Sequence, residues 1–328
     1  MNNGPAAQVP PQRILVVRLS AFGDVIHTIP AVVALKRALP STEIAWAVEP
    51  VYRELVEIVA GVKVINAPLK RWGGKIVSSR GEIRALAGDL RAFARHEVAI
   101  DFQGLAKSAL VTRVSGASQR YGFHPESTRE RLSTWLTNRH VRIDPREHVV
   151  DWNLRLARAV APDLDAAPGV DFTPFASDPR GKLAGLAGRI VLLPAAGRPE
   201  KQWPVAQFRE LAQQIGARAL VAWGPGEDDL GRQVGAELAP ATNFRELAHL
   251  LRNASLVIGG DTGPLHLAAA LGTPVIGLYG PTDPQRNGPY EQLERVVESF
   301  TSTRSMASIT TDAVMARVAQ SPLPATAR

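Results

Sequence analysis

The segment of the chain best suited to chemistry is the run Asp-Thr-Gly-Pro-Leu-His at residues 261–266. It follows a predicted strand, and Gly263 is expected to begin a helix. The free backbone N–H groups at the start of a helix favour an anion, above all a phosphate. Beside such a site, Asp261 could accept hydrogen bonds from sugar hydroxyls, while Thr262 and His266 offer neutral donors. The alternative is structural: Asp261 caps the helix, and His266 is a partly buried imidazole with satisfied hydrogen bonds.

A second candidate site follows the first predicted strand. Gly23 permits a tight turn there, and Asp24 stands at the start of the next predicted helix. Asp24 and His27 are three residues apart, so both side chains can lie on one face of that helix. This arrangement predicts a general base with a neighbouring polar group. An aspartate that only caps the helix N-terminus is the alternative.

Two further charged residues follow predicted strands in the second half of the chain. Lys201 precedes a helix predicted to begin near Pro204, where an ammonium group would neutralise a diphosphate; an isolated lysine is more often an ordinary surface residue. Glu227 follows a Gly-Pro-Gly turn and could accept hydrogen bonds from ribose hydroxyls. Its alternative role is a solvated acid stabilised by the dipole of the next helix. No Gly-x-Gly-x-x-Gly fingerprint follows the first predicted strand, which disfavours a dehydrogenase.

Predicted strands and helices alternate along the chain in two series. The predicted strands are residues 13–19, 43–49, 62–67, 98–102, 189–193, 219–223 and 255–259. The predicted helices are residues 24–39, 53–59, 81–95, 106–114, 150–160, 205–215, 244–251 and 311–319. A connector rich in Pro, Asp and Ala at 161–179 separates the two series. This order predicts an α/β protein with two doubly wound parallel sheets, whose strand carboxyl ends would face a ligand-binding cleft.

Length and composition predict a soluble or peripheral protein of two domains. The chain has 328 residues, more than one hydrophobic core usually serves. It contains no cysteine, which excludes disulfides and zinc–thiolate sites. The polar, proline-containing residues 1–12 lack the basic start and apolar stretch of a signal peptide. No apolar run approaches the ~20 residues that a membrane-spanning helix requires.

The net charge of +7 is unevenly distributed along the chain. Residues 1–165 contain 23 Lys and Arg against 16 Asp and Glu, whereas residues 166–328 contain 15 of each kind. The excess is densest at 63–146, with 16 basic and 7 acidic residues. This asymmetry favours an anionic partner on the first half: nucleic acid, an anionic membrane surface or a phosphorylated lipid. A merely solvated basic face is the alternative.

Five blocks of the sequence carry a resemblance to a known family. They are residues 18–20 with 23–25, residues 101–104 with 107 and 108, residues 201–204, residues 223–227, and residues 261–282. As a set they resemble glycosyltransferase family 9, the bacterial heptosyltransferases. The resemblance implies a GT-B fold, in which two Rossmann-like doubly wound parallel-sheet domains face a central cleft. It also implies a disordered tail (1–12), an acceptor-binding domain (13–165), a nucleotide-sugar-binding domain (175–305) and a C-terminal helix (306–328) that packs back toward the first domain.

The resemblance further implies an activity. It is the transfer of L-glycero-D-manno-heptose from ADP-heptose to the lipopolysaccharide inner core, by an inverting, metal-independent displacement at the cytoplasmic face of the inner membrane. The runs at 27–28, 70–72 and 279–284 are most similar to members that add the first heptose to Kdo of Kdo-lipid A. The expected partners are therefore ADP-heptose, Kdo-lipid A and an anionic membrane surface, without a cofactor, a metal or nucleic acid. We expect the protein to be a monomer.

The resemblance also assigns roles to individual residues. Asp24 corresponds to the proposed catalytic base, and Lys201 to a lysine that stabilises charge on the departing ADP. The residues expected to bind the donor are Glu227 near the nucleoside, then Asp261, Thr262, Gly263 and His266, with Ala195 and Ala196 where close relatives often carry hydroxyl residues. The residues expected to bind the acceptor are His27, Lys70, Arg71, Lys75, Gln103, Arg129, Arg131 and His140. At Ala195 and Ala196, backbone N–H groups must replace any hydroxyl contacts to phosphate.

Three alternatives stay open at this point. Another member of the family would use the same donor with a heptose acceptor. A nucleotide-sugar epimerase with the same two-domain shape would turn over without any acceptor. A non-enzymatic module would use the basic first half to bind nucleic acid or another anionic ligand. The neutral second half and an aromatic content of 6% disfavour nucleic acid, because few side chains are available for base stacking.

Overall fold

The computed structural model describes residues 10–72, 78–128, 130–164 and 169–321. The chain divides into two compact units. The first contains the residues up to Pro145 together with Val150–Val170, and the second contains Arg146–Val149 and the residues from Asp171 onward. Each unit is built on a parallel β-sheet, as the alternation of strands and helices predicted.

The sheet of the first unit has β1 at its centre. The strands are β1 (Arg13–Val17), β2 (Glu43–Val48), β3 (Val62–Asn66), β4 (Val98–Asp101), β5 (Gln119–Phe123) and β6 (Arg139–Val141). Within the described residues they lie in the order β3-β2-β1-β4-β5-β6, and each neighbouring pair is parallel. After Arg13, β1 is entirely apolar and buried, which suits a strand that is covered on both faces. Val17 lies beside Asp101 in register, so the segments that follow β1 and β4 emerge at the same sheet edge.

The sheet of the second unit repeats this topology. Its strands are β7 (Ile190–Leu193), β8 (Ala219–Val221), β9 (Glu237–Leu238), β10 (Leu256–Gly260), β11 (Val275–Tyr279) and β12 (Val296–Glu298). Their order in the described chain is β12-β11-β10-β7-β8-β9, again parallel throughout. The first sheet has the strand order 3-2-1-4-5-6 of Rossmann domains. The second sheet has the same order when β7 is counted as its first strand and the sheet is followed from β9 to β12. Ligands of such sheets bind outside the carboxyl ends of the strands, beside the point where the order reverses.

Helices connect the strands in both units. Those that precede β7 are α1 (Phe22–Ala38), α2 (Arg53–Val56), α3 (Leu69–Trp72), α4 (Arg80–Ala94), α5 (Ala106–Val114), α6 (Leu132–Leu136) and α7 (Val149–Arg158). Those that follow it are α8 (Val205–Ile215), α9 (Asp228–Val234), α10 (Phe244–Arg252), α11 (Gly263–Ala270), α12 (Pro284–Asn287) and α13 (Thr311–Ala319). None of these described helices has both the length and the apolar character needed to cross a bilayer.

Each of the predicted strands and helices corresponds to an observed element whose ends differ by at most three residues, but α3, α9, β9 and β12 are not predicted. The helix at 311–319 coincides with α13, and the strand at 189–193 begins one residue early. The helix predicted at 24–39 begins two residues earlier, at Phe22. Its N-cap is Ala21, and Asp24 is the third residue of the helix. The sequence pattern predicts no strand or helix over residues 119–141, yet this region contains β5, α6 and β6. These are short and rich in polar residues, so their hydrophobic periodicity is weak.

The C-terminal helix α13 packs on the second unit. It contacts α8, β11 and β12, and its Val314 and Val318 belong to the core of that unit. The Thr311 hydroxyl donates to Glu210 Oε2 on α8 at 2.8 Å. Packing of this helix toward the first domain stays a prediction. The predicted tail at 1–12 lies largely outside the described residues.

Candidate active site

The second unit joins three predicted site residues directly. Asp261 follows β10, and its two carboxylate oxygens have different partners. Lys201 Nζ donates to Asp261 Oδ2 at 2.5 Å, and His266 Nε2 donates to Asp261 Oδ1 at 3.0 Å. The Lys201 side chain is 18% exposed, whereas those of Asp261 and His266 are 7% and 3% exposed. The buried carboxylate therefore holds Lys201 and His266 in place, and the ammonium group of Lys201 is the more accessible member of the cluster.

A glycine allows the Lys201 turn to approach β10. Lys201 ends a short 3₁₀ turn that begins at Pro199, after β7. A Cβ atom at Gly260 would lie 2.9 Å from the Lys201 carbonyl oxygen, a separation that real Cβ atoms essentially never show. Because β7 and β10 are neighbouring parallel strands, their carboxyl ends share one edge. The fold thus brings together a lysine and an aspartate 60 residues apart in sequence.

The electrostatics of the cluster keep Asp261 ionised. Burial alone would raise the pKa of Asp261. The hydrogen bond from His266, the charges of His266 and Lys201, and the Lys201 hydrogen bond outweigh burial and hold this pKa well below its ordinary value. Lys201 is the cation that pairs with this carboxylate, and it is the more exposed of the two. The cluster therefore presents a cation at the sheet edge.

Helix α11 begins at Gly263, as predicted, immediately beside this cluster. Its N-cap residue is Thr262, so the alternative role of Asp261 as the helix cap is wrong. Pro264 has no N–H, which leaves the other early backbone N–H groups of α11 for an anion. The buried Thr262 hydroxyl makes no hydrogen bond within the described part of the chain. A cation, a helix N-terminus and a hydroxyl donor thus lie together, as phosphate binding requires.

The remaining donor candidates lie along the same sheet edge. Ala195 and Ala196 follow β7 after Pro194 and are half-buried. Glu227 is the N-cap of α9, after β8, and its carboxylate accepts a hydrogen bond from Gly224 N at 2.7 Å. Since β10, β7 and β8 are consecutive in the sheet, all of these residues face one edge. Direct side-chain contacts join Lys201, Asp261 and His266 at this edge.

The first unit holds a second carboxylate–cation pair. Asp24 forms an ion pair with Arg18, which also donates to the Phe102 carbonyl oxygen. Asp24 Oδ2 accepts a hydrogen bond from Ala21 N at 3.2 Å, and Ala21 is the N-cap of α1. The alternative role of Asp24 as the N-cap is therefore wrong by three positions. The Asp24 side chain is 31% exposed and that of Arg18 only 7%, so the carboxylate is the accessible partner.

Asp101 is a buried acid behind this pair. Burial raises the pKa of Asp101 to about 6, against the hydrogen bonds from Ser108, Gln103 N and Gly104 N and the charge of Arg18. Ser108 Oγ lies 3.0 Å from Asp101 Oδ2, and Gln103 N donates to Oδ1 at 2.9 Å. The sequence motif included Arg18 and Asp101 without a role for either. The signal that could have identified them is that Arg18 directly follows β1 and Asp101 ends β4, two adjacent buried strands.

Gln103 and His27, two of the acceptor candidates, lie beside the Asp24 turn. The Gln103 side-chain oxygen accepts from Leu19 N at 2.9 Å, which ties the segment after β4 to the segment after β1. His27 is buried in α1, and its carbonyl oxygen accepts from Asn153 at 2.9 Å. Both residues are therefore parts of the frame around Asp24.

Lys70 and Arg71 lie on α3. Lys70 N donates to Glu49 Oε1 at 2.8 Å, and the Lys70 ammonium group lies 5.7 Å from the Tyr52 ring centroid. Arg71 forms an ion pair with Glu82, whose pKa is lowered by hydrogen bonds from Trp72 and then Arg71. The expected interaction of Arg71 with an acceptor must therefore compete with Glu82.

The last acceptor candidates lie around α6. Arg131 is exposed and directly precedes this helix, and its carbonyl oxygen accepts from Thr134 Oγ1 at 2.7 Å. His140, on β6, has Nε2 at 3.0 Å from the Thr134 carbonyl oxygen. Arg131 and His140 are thus joined through one threonine. Lys75 and Arg129 lie outside the described residues.

Metal binding has no evident site in the described residues. They contain no group of three or more His, Cys, Asp or Glu side chains arranged to hold a metal ion.

Comparison with known proteins gives a consistent family. A family model described as glycosyltransferase family 9 (heptosyltransferase) matches residues 83–313. Lipopolysaccharide heptosyltransferase 1 of Salmonella typhimurium (strain LT2) is 32% identical over 296 residues, covering 85% of this chain and 91% of the relative. The structure of E. coli heptosyltransferase WaaC with ADP has a TM-score of 0.79 and 28% identity, covering 94% of this chain and 99% of that chain. The same values hold for its structure with ADP-2-deoxy-2-fluoro heptose.

Fold and site together define a glycosyltransferase with the GT-B architecture predicted from sequence: two Rossmann-like parallel sheets, one of which carries a phosphate-suited helix terminus. Within that class, the chain belongs to glycosyltransferase family 9, the heptosyltransferase family. The structure of E. coli ADP-heptose lps heptosyltransferase II shares the fold, with a TM-score of 0.72 at 21% identity over 94% of this chain and 98% of that chain. The cleft between the two domains stays a prediction.

Proposed function

We propose that this enzyme transfers L-glycero-D-manno-heptose from ADP-heptose to Kdo of the lipopolysaccharide inner core, with Kdo-lipid A as acceptor. The observation that carries the proposal is the Lys201–Asp261–His266 cluster at the N-terminus of α11. A related enzyme of similar structure, E. coli WaaC, binds ADP and an ADP-heptose analogue. Relatives at 32% identity are named lipopolysaccharide heptosyltransferase 1, which supports the Kdo acceptor implied by the sequence resemblance over a heptose acceptor.

The donor is held by the second unit. Lys201 binds the diphosphate while Asp261 and His266 fix the position of its ammonium group. The N–H groups of α11 and the Thr262 hydroxyl add neutral donors, and backbone N–H groups at Ala195 and Ala196 replace hydroxyl contacts. Glu227 accepts hydrogen bonds from the ribose. As the bond between the anomeric carbon and ADP breaks, negative charge grows on the diphosphate, and prearranged donors stabilise that charge most effectively.

The acceptor hydroxyl is activated by the first unit. Asp24 accepts its proton while the oxygen attacks the anomeric carbon from the face opposite ADP, which inverts the configuration there. The bond to ADP breaks with its electron pair on the diphosphate oxygen, and the proton later passes from Asp24 to water. The ion pair with buried Arg18 and the hydrogen bond from Ala21 N hold the carboxylate in one orientation.

Recognition of the acceptor rests on the basic first unit. The residues assigned to the phosphates and carboxylates of Kdo-lipid A and to the frame around Asp24 are His27, Lys70, Arg71, Lys75, Gln103, Arg129, Arg131 and His140. Lys201 and the α11 terminus supply the charge stabilisation that a metal ion supplies in other transferases, so the proposed reaction needs no metal or cofactor. We further propose a monomer that acts at the cytoplasmic face of the inner membrane, on an anionic surface and without nucleic acid.

The test is a coupled assay for ADP release. The enzyme receives ADP-heptose alone, with deacylated Kdo-lipid A, or with the same acceptor already extended by heptose. ADP release that requires the Kdo-terminated acceptor, with a heptose-extended product by mass spectrometry, is expected. Turnover without acceptor would indicate an epimerase or hydrolase. Turnover only with the extended acceptor would indicate the related transferase, and the proposed acceptor would be wrong.

A further inference from the structure

The inference concerns two neighbouring helices of the first unit. Among the described residues, the exposed large hydrophobic side chains are Val51 (60%), Leu110 (51%), Leu132 (58%) and Trp135 (82%). Three of these four lie on α5 and α6, which pack against each other. Hydrophobic residues exposed singly are normal on any protein surface. Their concentration on two adjoining helices calls for a cause.

Helix α6 is amphipathic in the reverse of the usual sense. It buries Ser133 and Thr134 and exposes Leu132 and Trp135. The buried hydroxyls are hydrogen-bonded, because Ser133 Oγ donates to Glu130 O and Thr134 Oγ1 donates to Arg131 O, each at 2.7 Å. A surface helix of a globular protein normally turns its apolar stripe inward. These bonds satisfy the buried hydroxyls, and the exposed face of α6 is therefore the apolar one.

Basic side chains flank the exposed apolar ones. On α5, Lys107, Leu110 and Arg113 are spaced by three residues and share one face. On the other helix, Arg131 directly precedes Leu132, and exposed Arg139 follows the helix.

The surrounding segment is strongly basic as a whole. Residues 105–142 contain seven Lys and Arg against two Asp and Glu, a net charge of +5. Both acids have partners outside the exposed apolar face of α6. Glu126 lies 3.4 Å from Arg142, and the Glu130 carboxylate accepts from Ala106 N at 2.7 Å, at the start of α5.

We propose that this surface docks the enzyme on an anionic phospholipid bilayer. We call it the α5–α6 patch; it comprises Leu110, Arg113, Arg131, Leu132, Trp135 and Arg139. Tryptophan favours the boundary between lipid and water, and exposed Lys and Arg attract anionic headgroups. The net charge of +5 over residues 105–142 complements anionic headgroups, and it would repel the same basic surface of a second copy of this chain.

Helix α6 also links the patch to residues of the proposed acceptor site. His140 Nε2 lies 3.0 Å from the Thr134 carbonyl oxygen and 3.1 Å from Thr137 Oγ1. Arg131 belongs to both the patch and the acceptor candidates. Docking would therefore hold these residues at the level of the sugars that a membrane lipid presents. The bilayer is the anionic surface of the proposed function, and the link to the acceptor residues also rests on the proposed reaction.

The first test measures bilayer binding without any substrate. Wild-type enzyme is floated with phosphatidylglycerol–phosphatidylcholine vesicles and with phosphatidylcholine vesicles. We expect binding to the anionic vesicles that weakens with salt, and a loss of about tenfold or more in partition for Trp135→Ala and for Leu132→Ser. Arg113→Gln combined with Arg139→Gln should weaken binding to anionic vesicles only. Val51→Ala, which removes an equally exposed apolar side chain elsewhere, should bind like wild type.

The second test separates docking from catalysis. With deacylated acceptor in solution, Trp135→Ala should keep wild-type turnover, which also shows that it folds. With Kdo-lipid A embedded in anionic vesicles, its turnover should fall by about tenfold. The proposal is overturned if wild type does not bind anionic vesicles, if the two apolar variants bind as wild type does, or if Trp135→Ala instead dissociates a dimer in sedimentation. Because the vesicles in the first test carry no acceptor, an error in the proposed reaction would not affect that result.

Discussion

The two units contain matching ion pairs with opposite burial. In the first, Arg18 is the buried partner at 7% side-chain exposure, and Asp24 is accessible at 31%. In the second, Asp261 is the buried partner at 7%, and Lys201 is more accessible at 18%. Both pairs lie where a central parallel strand ends, the position at which such sheets bind ligands. The same pairing of charges therefore presents a carboxylate in one unit and an ammonium group in the other.

This difference indicates how one kind of contact can serve two chemical roles. The buried member of each pair orients the accessible member, which is left to meet the substrate. An accessible carboxylate can accept a proton, while an accessible cation can stabilise a leaving diphosphate. The account therefore predicts that changes at the two accessible residues affect different steps. Changes at the buried partners should affect folding and orientation.

The largest expected effect follows from Asp24→Asn, which keeps the shape of the side chain and removes the base. Turnover with deacylated Kdo-lipid A should fall by ~10²–10⁴-fold, the usual contribution of general base catalysis. The coupled ADP-release assay measures this directly. Glu43→Gln, at an exposed acid on β2, is the matched control and should keep its activity. Near wild-type turnover of Asp24→Asn would remove it as the base and leave His27 as the next candidate.

The next effect follows from Lys201→Met, which removes the accessible cation of the second unit. The expected loss in kcat is ~10²–10³-fold, similar to the loss of one preorganised donor in other enzymes. Single-turnover measurements with saturating donor isolate the chemical step. Lys182→Met, at a lysine that pairs with Glu246 in the same unit, controls for the loss of a buried ion pair. A kcat within threefold of wild type would exclude Lys201 from leaving-group stabilisation.

Asp261→Asn tests the buried partner. Removing one charge of a buried pair leaves the other uncompensated, so the free energy of unfolding should fall by about 3 kcal/mol at neutral pH. The low pKa of Asp261 gives the sign of the pH dependence. Its stabilising effect is complete above the unfolded-state pKa of ~3.9 and is lost as the pH falls further. Urea unfolding at pH 7 and pH 3 should therefore show a difference between variant and wild type that shrinks in acid.

Asp101 should show the opposite pH dependence, because burial raises its pKa to about 6. The folded state favours the protonated acid, so wild type should lose stability as the pH rises from 4 through 6. The loss is on the order of 1–3 kcal/mol, since a shift of one pKa unit is worth about 1.4 kcal/mol. Asp101→Asn keeps the shape of the carboxyl and should remove this loss. If the melting temperatures of the two proteins change with pH in the same way, the raised pKa of Asp101 would be contradicted.

The smallest effect concerns Arg131→Glu, at an exposed site of the first unit. Reversal of an exposed charge should raise the acceptor KM by about threefold to tenfold, because solvent screens such interactions. The affinity for ADP should not change. Arg317→Glu, at a basic residue of α13 in the second unit, should leave the acceptor KM unchanged. An effect of Arg131→Glu on ADP alone would contradict the assignment of the acceptor to the first unit.

The sequence predicted the parts of the molecule that depend on local pattern. Periodicity and turn residues predicted the apolar strands β1 and β7 and the start of a helix at Gly263. They also predicted the whole of α13. The order of the elements also predicted two parallel sheets. Residue types and their positions after strands were sufficient to identify Asp24, Lys201 and Asp261 as candidate site residues.

Contacts between distant residues could not be predicted in this way. The pairing of Lys201 with Asp261 depends on the adjacency of β7 and β10, and on a glycine at 260 that lets the turn approach. The pairing of Arg71 with Glu82 depends on how α3 lies against α4. The orientation of α6 could not be predicted from hydrophobicity, because the face that it buries is the polar one. Each of these features follows from tertiary packing that overrides local preference.

The measurement that tests the central claim most directly is calorimetric titration of ADP into Asp24→Asn and Lys201→Met, side by side with wild type. If the accessible carboxylate serves the acceptor and the accessible cation holds the donor, Asp24→Asn binds ADP within about twofold of wild type. Lys201→Met then binds at least about tenfold more weakly, as expected for the loss of a charge-assisted contact to phosphate. Unchanged ADP affinity in Lys201→Met, or a comparable loss of ADP affinity in Asp24→Asn, would contradict the assignment of the donor to one ion pair and the acceptor to the other.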